Sequence, residues 1–302
     1  MAKHFADWSA AKIEKKLGIV SRHVLGDDET PSDLAVAAAQ HLLHRRPELR
    51  ERIDFIVFCT QSPDYVLPTN ACLIQDRLGL NTGIGAIDVN QGCSGYIYGL
   101  GVAKGLVSGG LARCVLLLTA DAYSKLVNRD DPSVRTIFGD AGSASVIEAA
   151  PEGPAGLGAF VFGTDGSGGD ALIVRNSGMR REGENPRAGL FMDGPAVLNF
   201  TLREVPPLLA KLLEADGKVL ADLDFVILHQ ANKFILDQLK RKLQIDDDKF
   251  IVDYADVGNT VSSSIPIALS RAVDDGRIRP GSVGALLGFG VGLSWAGCTL
   301  HI

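Results

Sequence analysis

Two stretches of this chain share one pattern: Ile-Asp-Phe-Ile-Val-Phe-Cys-Thr-Gln at residues 53–61 and Leu-Asp-Phe-Val-Ile-Leu-His-Gln-Ala at residues 223–231. Each stretch is a continuous apolar run of strand length, which is typical of a strand buried on both faces. Each run is followed by a helical pattern, over residues 69–78 in the first case and 233–243 in the second. The chain therefore contains an internal repeat that begins with a strand and a helix.

The repeat continues at the same sequence offset. Cys93 lies opposite Ser263, and each of these residues opens a helix rich in small residues. The later strands also correspond, residues 113–121 with 282–288 and residues 142–149 with 292–302. Both copies thus follow the order strand, helix, strand, helix, strand, strand. This alternation predicts a mostly parallel sheet with helices on its faces.

We therefore predict an α/β protein made of two similar halves, residues 1–150 and residues 151–302, with mixed, mostly parallel sheets packed through shared helices. In α/β sheets a ligand site lies beyond the C-terminal ends of the strands. Cys93 and His229 each follow such a strand, one in each half, and Asn259 follows the apolar residues 250–253. The repeat thus predicts that these three residues lie close together.

Cys93 is the candidate nucleophile. It lies where an apolar strand ends in small residues and a helical pattern begins, so its thiol is expected at a helix N-terminus. The helix dipole and the free N–H groups there favour the thiolate, which is the reactive form of cysteine. A cysteine, a histidine and an asparagine brought together by folding predict an acyl-transfer site.

Composition excludes several other classes of protein. The chain has 302 residues, of which 46% are hydrophobic and 22% are charged, and its formal net charge is −6. This acidic balance argues against nucleic-acid binding. We see no basic-then-apolar leader and no apolar run long enough for a bilayer, so we expect a cytoplasmic protein without membrane contact. The five cysteines form no C-x-x-C pair, so neither a disulfide framework nor a metal site is expected.

Five motifs, in the same order along the chain, carry a family resemblance; they lie at residues 91–95, 138–144, 229–232, 258–266 and 288–295. With these motifs the chain resembles the β-ketoacyl-acyl-carrier-protein synthase III family of the thiolase superfamily, over nearly its whole length. The resemblance implies a thiolase-like fold and a condensing enzyme that makes a carbon–carbon bond. It also implies acyl-CoA and malonyl-acyl-carrier protein as substrates, no cofactor, and a homodimer.

The resemblance implies roles for individual residues. Cys93 would accept an acyl group from a thioester. His229 and Asn259 would hold the thioester carbonyl oxygen of a malonyl group while it loses carbon dioxide, and the resulting carbanion would attack acyl-Cys93. Two fixed donors stabilise charge on such an oxygen far better than water does. The backbone N–H groups of Cys93 and Val291 would form a second oxyanion hole.

Other residues are implied in substrate binding, and some of them depart from the family pattern. Asn232, Gly194 and Ile87 match positions of the substrate pocket. Ile87 stands where an aromatic residue near the dimer contact often closes the partner's acyl tunnel. At the CoA adenine site the family usually has a tryptophan and an arginine, whereas this chain has Lys12 and Lys16. Stacking on adenine is therefore expected to be lost, while attraction for phosphate is retained.

Two further departures concern the carrier protein and the first strand. Phe234 stands where the family often has an arginine, and the candidate docking patch is formed instead by Lys233, Lys240, Arg241 and Lys242. Family members begin with a strand before the first helix, whereas this chain starts close to that helix. The first half is therefore expected to lack one strand and to expose a sheet edge.

Other functions are weighed against condensation. The nearest alternative is an acyltransferase that forms esters or amides without decarboxylation, but such relatives tend to alter the His or the Asn, and both are present here. An inactive partner subunit of a heterodimer is argued against by the intact triad. A thiolase needs a Cys-x-Gly motif, whereas Cys298 is followed by Thr299 and Leu300. A hydroxymethylglutaryl-CoA synthase needs a glutamate base near the nucleophile, and none is seen there.

Overall fold

The structure is a computed structural model that describes Phe5 and residues 8–150, 155–180 and 189–302. The first half of the chain begins with helices and then alternates strands with helices. Its elements, in chain order, are α1 (Ala10–Leu17), α2 (Pro31–Arg45), α3 (Leu49–Arg52), β1 (Phe55–Cys59), α4 (Asn70–Leu78), β2 (Gly85–Val89), α5 (Gly95–Ser108), β3 (Cys114–Asp121), α6 (Pro132–Arg135) and β4 (Ala141–Glu148).

The second half opens with three strands and then repeats the alternation. Its elements are β5 (Gly156–Thr164), β6 (Leu172–Val174), β7 (Leu190–Met192), α7 (Gly194–Ala215), β8 (Phe225–Leu228), α8 (Lys233–Leu243), β9 (Phe250–Ile251), α9 (Ser264–Asp274), β10 (Val283–Gly290) and β11 (Ser294–His301). Within the described ranges, no helix has the length and apolar character needed to cross a bilayer.

Two sheets organise these elements. The first has the strand order β2-β1-β3-β4, in which β1 pairs in parallel with β2 and β3 while β4 is antiparallel to β3. The second has the order β5-β11-β10-β8-β9, in which β8 pairs in parallel with β9 and β10 while β11 is antiparallel to both neighbours. Strands β6 and β7 form a small separate ribbon. The mixed sheets expected from the repeat are confirmed.

The two sheets correspond strand by strand, with one difference. Strands β1 to β4 occupy the places that β8, β9, β10 and β11 occupy in the second sheet. The second sheet has one more strand, since β5 lies along the outer edge of β11. Among the residues that the structure describes, no strand lies along the equivalent outer edge of β4.

The core is built in layers. Helices α5 and α9 lie between the sheets, where Ile97 and Ile265 belong to one buried cluster with Val57 of the first sheet and Ile227 of the second. The outer faces of the two sheets are covered by α2 and α4 and by α7 and α8 respectively. Each fully buried Ile or Leu stabilises the fold by roughly 1.5–3 kcal/mol, so the shared layer fixes one half against the other.

Candidate active site

Cys93, His229 and Asn259 line one cavity of about 750 Å³ between the two halves. Cys93 follows β2, His229 directly follows β8, and Asn259 lies between β9 and α9. All three residues are buried, and the cavity wall around them is mainly apolar. The structure therefore brings together the three residues that the sequence predicts to meet.

The thiol of Cys93 is buried just before α5. Gly290 packs directly on it, since a Cβ at Gly290 would lie 3.1 Å from the Cys93 Sγ. Burial, and after it the nearby Asp121 carboxyl, raise the pKa of the Cys93 thiol to about 12, against the opposing effect of its own backbone N–H. The expectation of a resting thiolate is thus wrong, because the loss of hydration on burial, which is the largest cause, favours the neutral thiol. Cys93 is a neutral thiol that must lose its proton as it attacks.

His229 is held by Ser264, the first residue of α9. Its ring Nδ1 lies 2.7 Å from the Ser264 hydroxyl oxygen, and the backbone N–H of Gln230 donates to the same oxygen. That hydroxyl has no other hydrogen-bond partner among the described residues, so its proton points to Nδ1. The ring proton is then assigned to Nε2, the nitrogen that faces away from Ser264. Burial lowers the pKa of His229 to about 3, so the imidazole is neutral near pH 7.

Asn259 has a defined amide orientation. Its Oδ1 accepts a hydrogen bond of 2.9 Å from the backbone N–H of Val261, which leaves the NH₂ group as the part available to a ligand. The backbone of Asn259 is fixed as well, because it donates to the Ile137 carbonyl and accepts from the Gly139 N–H. Val261 opens the turn Val261–Ser263 that leads into α9, so this hydrogen bond ties the Asn259 side chain to the start of that turn.

Two backbone N–H groups near the thiol, those of Val291 and Cys93, have no hydrogen-bond acceptor within the described part of the chain. Val291 follows β10 and packs against the apolar cluster that contains Cys93. Among the described residues, the Val291 N–H donates to no carbonyl and to no side chain. The Cys93 N–H likewise donates to no carbonyl and to no other side chain of the described residues. Both groups therefore remain available to a ligand oxygen, which is what an oxyanion hole requires.

Three lysines lie at the solvent end of the cavity. Lys15 and Lys16 of α1 and Lys233 of α8 line it, and all three are exposed. Phe234, half-exposed beside Lys233, lines the same opening. The cavity therefore passes from a positively charged mouth to an apolar interior. Such an arrangement suits a ligand with an anionic head and an uncharged tail.

Lys12 lies outside the cavity lining, but an aromatic ring lies beside it. The Lys12 Nζ is 5.5 Å from the centre of the Trp8 ring, and the Lys16 Nζ is 5.8 Å from it. Because Lys12 stands at the family's tryptophan position, the sequence predicts that aromatic stacking is lost at this place. In the structure Trp8, which precedes α1, presents a ring to the same lysines.

The predicted docking patch is largely engaged in contacts of its own. Lys233 pairs with Asp237 at 2.8 Å. The ammonium of Lys240 contacts Asp247 and lies over the Phe250 ring, while that of Lys242 donates to the Leu202 carbonyl. Arg241 donates through Nε to the carbonyl of Asp237. Of the four residues, only Lys233 lines the cavity.

The other predicted substrate residues fall in different places. Asn232 lines the cavity, and its Oδ1 caps α8 by accepting from the Ile235 N–H. Gly194 lines it from the start of α7. Ile87 does not line this chain's cavity; it lies on β2, the edge strand of the first sheet, with 38% of its surface exposed.

Comparison with known proteins agrees with this geometry. Residues 87–166 match the family described as 3-oxoacyl-[acyl-carrier-protein (ACP)] synthase III, and residues 213–302 match its C-terminal part. A β-ketoacyl-[acyl-carrier-protein] synthase III from Deinococcus deserti is 38% identical, covering 97% of this chain and 84% of that relative. A relative of the same name from Xanthomonas euvesicatoria is 36% identical, covering 98% of this chain and 90% of its own length.

Solved structures agree over a similar span. A crystal structure of a 3-oxoacyl-(acyl-carrier-protein) synthase III matches with a TM-score of 0.97 at 46% identity, covering 100% of this chain and 94% of that chain. The β-ketoacyl-[acyl-carrier-protein] synthase III of Thermus thermophilus matches with a TM-score of 0.92 at 36% identity, covering 99% and 93%. On fold, motifs and near-complete coverage, this chain belongs to the 3-oxoacyl-[acyl-carrier-protein] synthase III family.

Proposed function

We propose that this chain is a condensing enzyme that loads an acyl group on Cys93 and joins it to a malonyl unit with loss of carbon dioxide. The observation that carries the proposal is the convergence of a buried thiol, a neutral imidazole and an oriented amide on one cavity. Family membership supports the same reaction, since the relatives are named 3-oxoacyl- or β-ketoacyl-[acyl-carrier-protein] synthase III.

In the first half-reaction the sulfur of Cys93 attacks the carbonyl carbon of an acyl thioester. Negative charge develops on the carbonyl oxygen, and the N–H groups of Cys93 and Val291 are the donors that stabilise it. The bond to the leaving thiol then breaks, and the proton of the Cys93 thiol ends on that leaving thiol. The products are acyl-Cys93 and a free thiol, so this step needs no oxidant and no cofactor.

In the second half-reaction the malonyl thioester carbonyl oxygen accepts hydrogen bonds from His229 Nε2 and Asn259 Nδ2. The carboxylate leaves as carbon dioxide, and its electron pair forms an enolate that these two donors stabilise. The enolate carbon attacks the carbonyl carbon of acyl-Cys93, and the Cys93 sulfur leaves as a thiolate that takes up a proton from the solvent. The neutral state of His229 suits this work, because its task is to donate one fixed hydrogen bond.

A non-decarboxylating acyltransferase is the second candidate, and the orientation of two donors speaks against it. His229 is set by Ser264 and Asn259 by Val261, so both present N–H groups to the cavity. An acyltransferase that only passes an acyl group to an alcohol or amine has no need of two donors for an enolate. An inert subunit has no need of an intact nucleophile either.

We propose that the charged mouth receives the phosphate groups of CoA or of the carrier protein's prosthetic arm, and that the carrier protein docks beside Lys233 and Phe234. The exposed positions of Lys15, Lys16 and Lys233 support this docking. Changing Lys233 to Glu should raise the KM for malonyl-acyl-carrier protein, whereas Lys242→Glu, which lies outside the cavity lining, should change it less. Equal effects of the two variants would argue for the wider patch.

We propose that a second copy of the chain covers the face around β2. The segment Tyr65, Val66 and Leu67 is 59%, 80% and 79% exposed, and Ile87 of β2 is also exposed. Asp88 of β2 accepts from the N–H groups of Asn70 and Ala71, which holds the end of this loop against the edge strand. Exposed apolar side chains next to a sheet edge are typical of an interface.

Light scattering at micromolar protein tests the dimer. Leu67→Asp should shift the mass from dimer to monomer, and Leu111→Asp, at a residue 75% exposed elsewhere, is the matched control. A monomeric mass for the unaltered chain would contradict the proposal.

We also propose that the protein is located in the cytoplasm. All five cysteines are free thiols, which fits a reducing compartment.

Intact-mass measurement tests the proposed function. The protein is incubated with acetyl-, butyryl- and octanoyl-CoA, weighed, and then mixed with malonyl-acyl-carrier protein. We expect an acyl mass on Cys93, release of carbon dioxide and a 3-oxoacyl product. Acyl loading without carbon dioxide release would support the plain acyltransferase instead, and failure of every donor to load would support an inert subunit.

A further inference from the structure

A buried carboxyl group lies behind the proposed site and is not part of the reaction described above. Asp121, the last residue of β3, is fully buried. Its Oδ1 accepts from the backbone N–H of Gln61 at 2.8 Å, and its Oδ2 accepts from the hydroxyl of Ser262 at 2.5 Å and from its N–H at 3.3 Å. All these partners donate, which is the set that an ionised carboxylate requires.

One branch of this network leads to Asn259. Ser262 lies in the turn Val261–Ser263, and Val261 has a φ of 53°, a left-handed conformation that a β-branched residue rarely adopts. The N–H of Val261 is the group that orients the Asn259 amide. The two hydrogen bonds from Ser262 to Asp121 therefore hold the turn on which the amide orientation depends.

The other branch leads to the loop that ends at Cys93. Gln61, which donates to Asp121, accepts from the Tyr123 hydroxyl at 2.7 Å and donates to the Asn90 side chain at 3.2 Å. It also packs on the loop backbone, since a Cβ at Gly92 would lie 2.4 Å from the Gln61 Oε1. Asp121 thus connects a segment of the second half with the nucleophile loop of the first.

We propose that Asp121 is a positioning residue that, in its ionised form, holds the Asn259 amide and the Cys93 loop in register across the two halves. The proposal rests on the proposed function, because it explains how the two donors and the nucleophile stay aligned. It predicts that loss of the carboxylate acts through Asn259 and not through general loss of folding.

The pH dependence of decarboxylation provides an independent test of the role of Asp121. Burial raises the pKa of this carboxyl to about 7, in spite of its hydrogen bonds. Among the residues that the structure describes, the titratable groups that interact with it are Cys59 of β1, Cys93, Tyr123 and Asp140, none of which is a cation. Because the ionised form is the one that holds both branches, decarboxylation should fall as the pH drops below about 7.

The experiment is a double-mutant cycle on carbon dioxide release from malonyl-acyl-carrier protein. Asp121→Asn should lower the rate about tenfold in the unaltered chain and about twofold or less in the Asn259→Ala background, because the second variant has already lost the amide. Asp54→Asn is the control; Asp54 accepts from backbone N–H groups at the opposite end of β3. It should change the rate by less than about twofold in either background.

Equal losses in both backgrounds, or a rate for Asp121→Asn within about twofold of the unaltered chain, would overturn the inference. The inference would also be overturned if decarboxylation by Asp121→Asn still fell as the pH drops below about 7. If Asp121→Asn fails to fold, Ser262→Ala, which removes only the hydroxyl donor, must show the same non-additivity. An unaltered chain that releases no carbon dioxide refutes the proposed function instead, so the two failures are distinct.

Discussion

The hydroxyl of Ser264 lies 2.7 Å from Nδ1 of His229, and this contact decides which ring nitrogen faces the cavity with a proton. The same hydroxyl accepts from the Gln230 N–H, so its own proton is directed to the ring. The first helix residue of α9 therefore sets the tautomer of a histidine in another segment.

Ser264→Ala should allow the His229 ring to change its tautomer. With the hydroxyl gone, the ring no longer has a donor at Nδ1, and the Nδ1–H form becomes accessible. Decarboxylation should fall by roughly tenfold, the cost of about one hydrogen bond, while acyl loading is retained. Nitrogen-15 spectra of the His229 ring report the tautomer directly. Ser263→Ala is the matched control, because Ser263 bonds to Thr119 and not to His229. An unchanged ring spectrum in Ser264→Ala would contradict the assignment.

Loss of a side-chain donor should separate the two half-reactions. His229→Ala and Asn259→Ala should each lower decarboxylation by roughly 10²–10³, the usual effect of removing one oxyanion donor. Acyl loading should survive better, since its oxyanion is held by backbone N–H groups. Cys93→Ala should abolish loading, and Cys72→Ala, at the exposed cysteine, should not. The checks are intact mass and carbon dioxide release; equal loss of both steps in the donor variants would be the contrary result.

The buried thiol should react slowly with a neutral alkylating agent. Because burial raises the pKa of Cys93 to about 12, few molecules carry the thiolate near pH 7. The rate of Cys93 alkylation by iodoacetamide should therefore rise about tenfold per pH unit through pH 9, with no plateau. Cys72 in the same protein is the internal reference. Peptide mapping measures both rates, and a plateau below about pH 8 for Cys93 would show that the helix terminus dominates after all.

Two buried groups should give opposite pH dependences of stability. The pKa of His229 is lowered to about 3 in the folded chain from an ordinary value of 6.5, so the unfolded chain binds a proton that the folded chain does not. Stability from this group is present above about pH 6.5 and is lost as the pH falls toward 3. The pKa of Asp121 is raised to about 7 from 3.8, so its contribution is present below about pH 4 and is lost as the pH rises through 7.

Between about pH 4 and 6.5 these two slopes oppose each other, at roughly 1.4 kcal/mol per pH unit each. In His229→Gln only the contribution of Asp121 to the pH dependence of stability remains, so stability should fall as the pH rises. Asp121→Asn should leave the His229 slope, so that stability rises with pH. Urea unfolding at several pH values in this window measures both. Parallel curves for the two variants would contradict the pKa directions.

The range of accepted acyl chains should exceed acetyl. Ile87 is smaller than the aromatic residue expected at its family position, and each methylene buried in extra apolar room contributes about 0.8 kcal/mol. Butyryl- and octanoyl-CoA should therefore load at rates comparable to acetyl-CoA or faster. Ile87→Phe should shift preference toward acetyl if this side chain reaches the partner's cavity. Leu67→Phe is the companion variant on the adjoining loop; a shift in it alone would assign that contact to Leu67.

Much of the fold follows from the repeat, because two apolar runs with the same helix after them leave few ways to arrange the strands. The convergence of Cys93, His229 and Asn259 can be predicted because each residue follows the end of a strand. The order of the strands determines where those ends lie, whatever the side chains are. The protonation of Cys93 does not follow, because a helix start is visible in sequence while depth of burial is not. Ser264 and Asp121 look like ordinary helix-start and strand-end residues, and only the fold brings them to His229 and Ser262. The aromatic ring beside Lys12 could have been predicted, because Trp8 lies only four residues before Lys12 in the sequence.

The layer of α5 and α9 between the sheets has a consequence for folding kinetics. The thiol of Cys93 belongs to the first half, whereas the Val291 N–H, His229 and Asn259 belong to the second, so neither half-reaction has its groups in place until the sheets have docked. During refolding, recovery of secondary structure should therefore precede recovery of acyl loading. The recovery of acyl loading therefore follows the last step of folding. A slow phase in this recovery measures the docking of one half on the other.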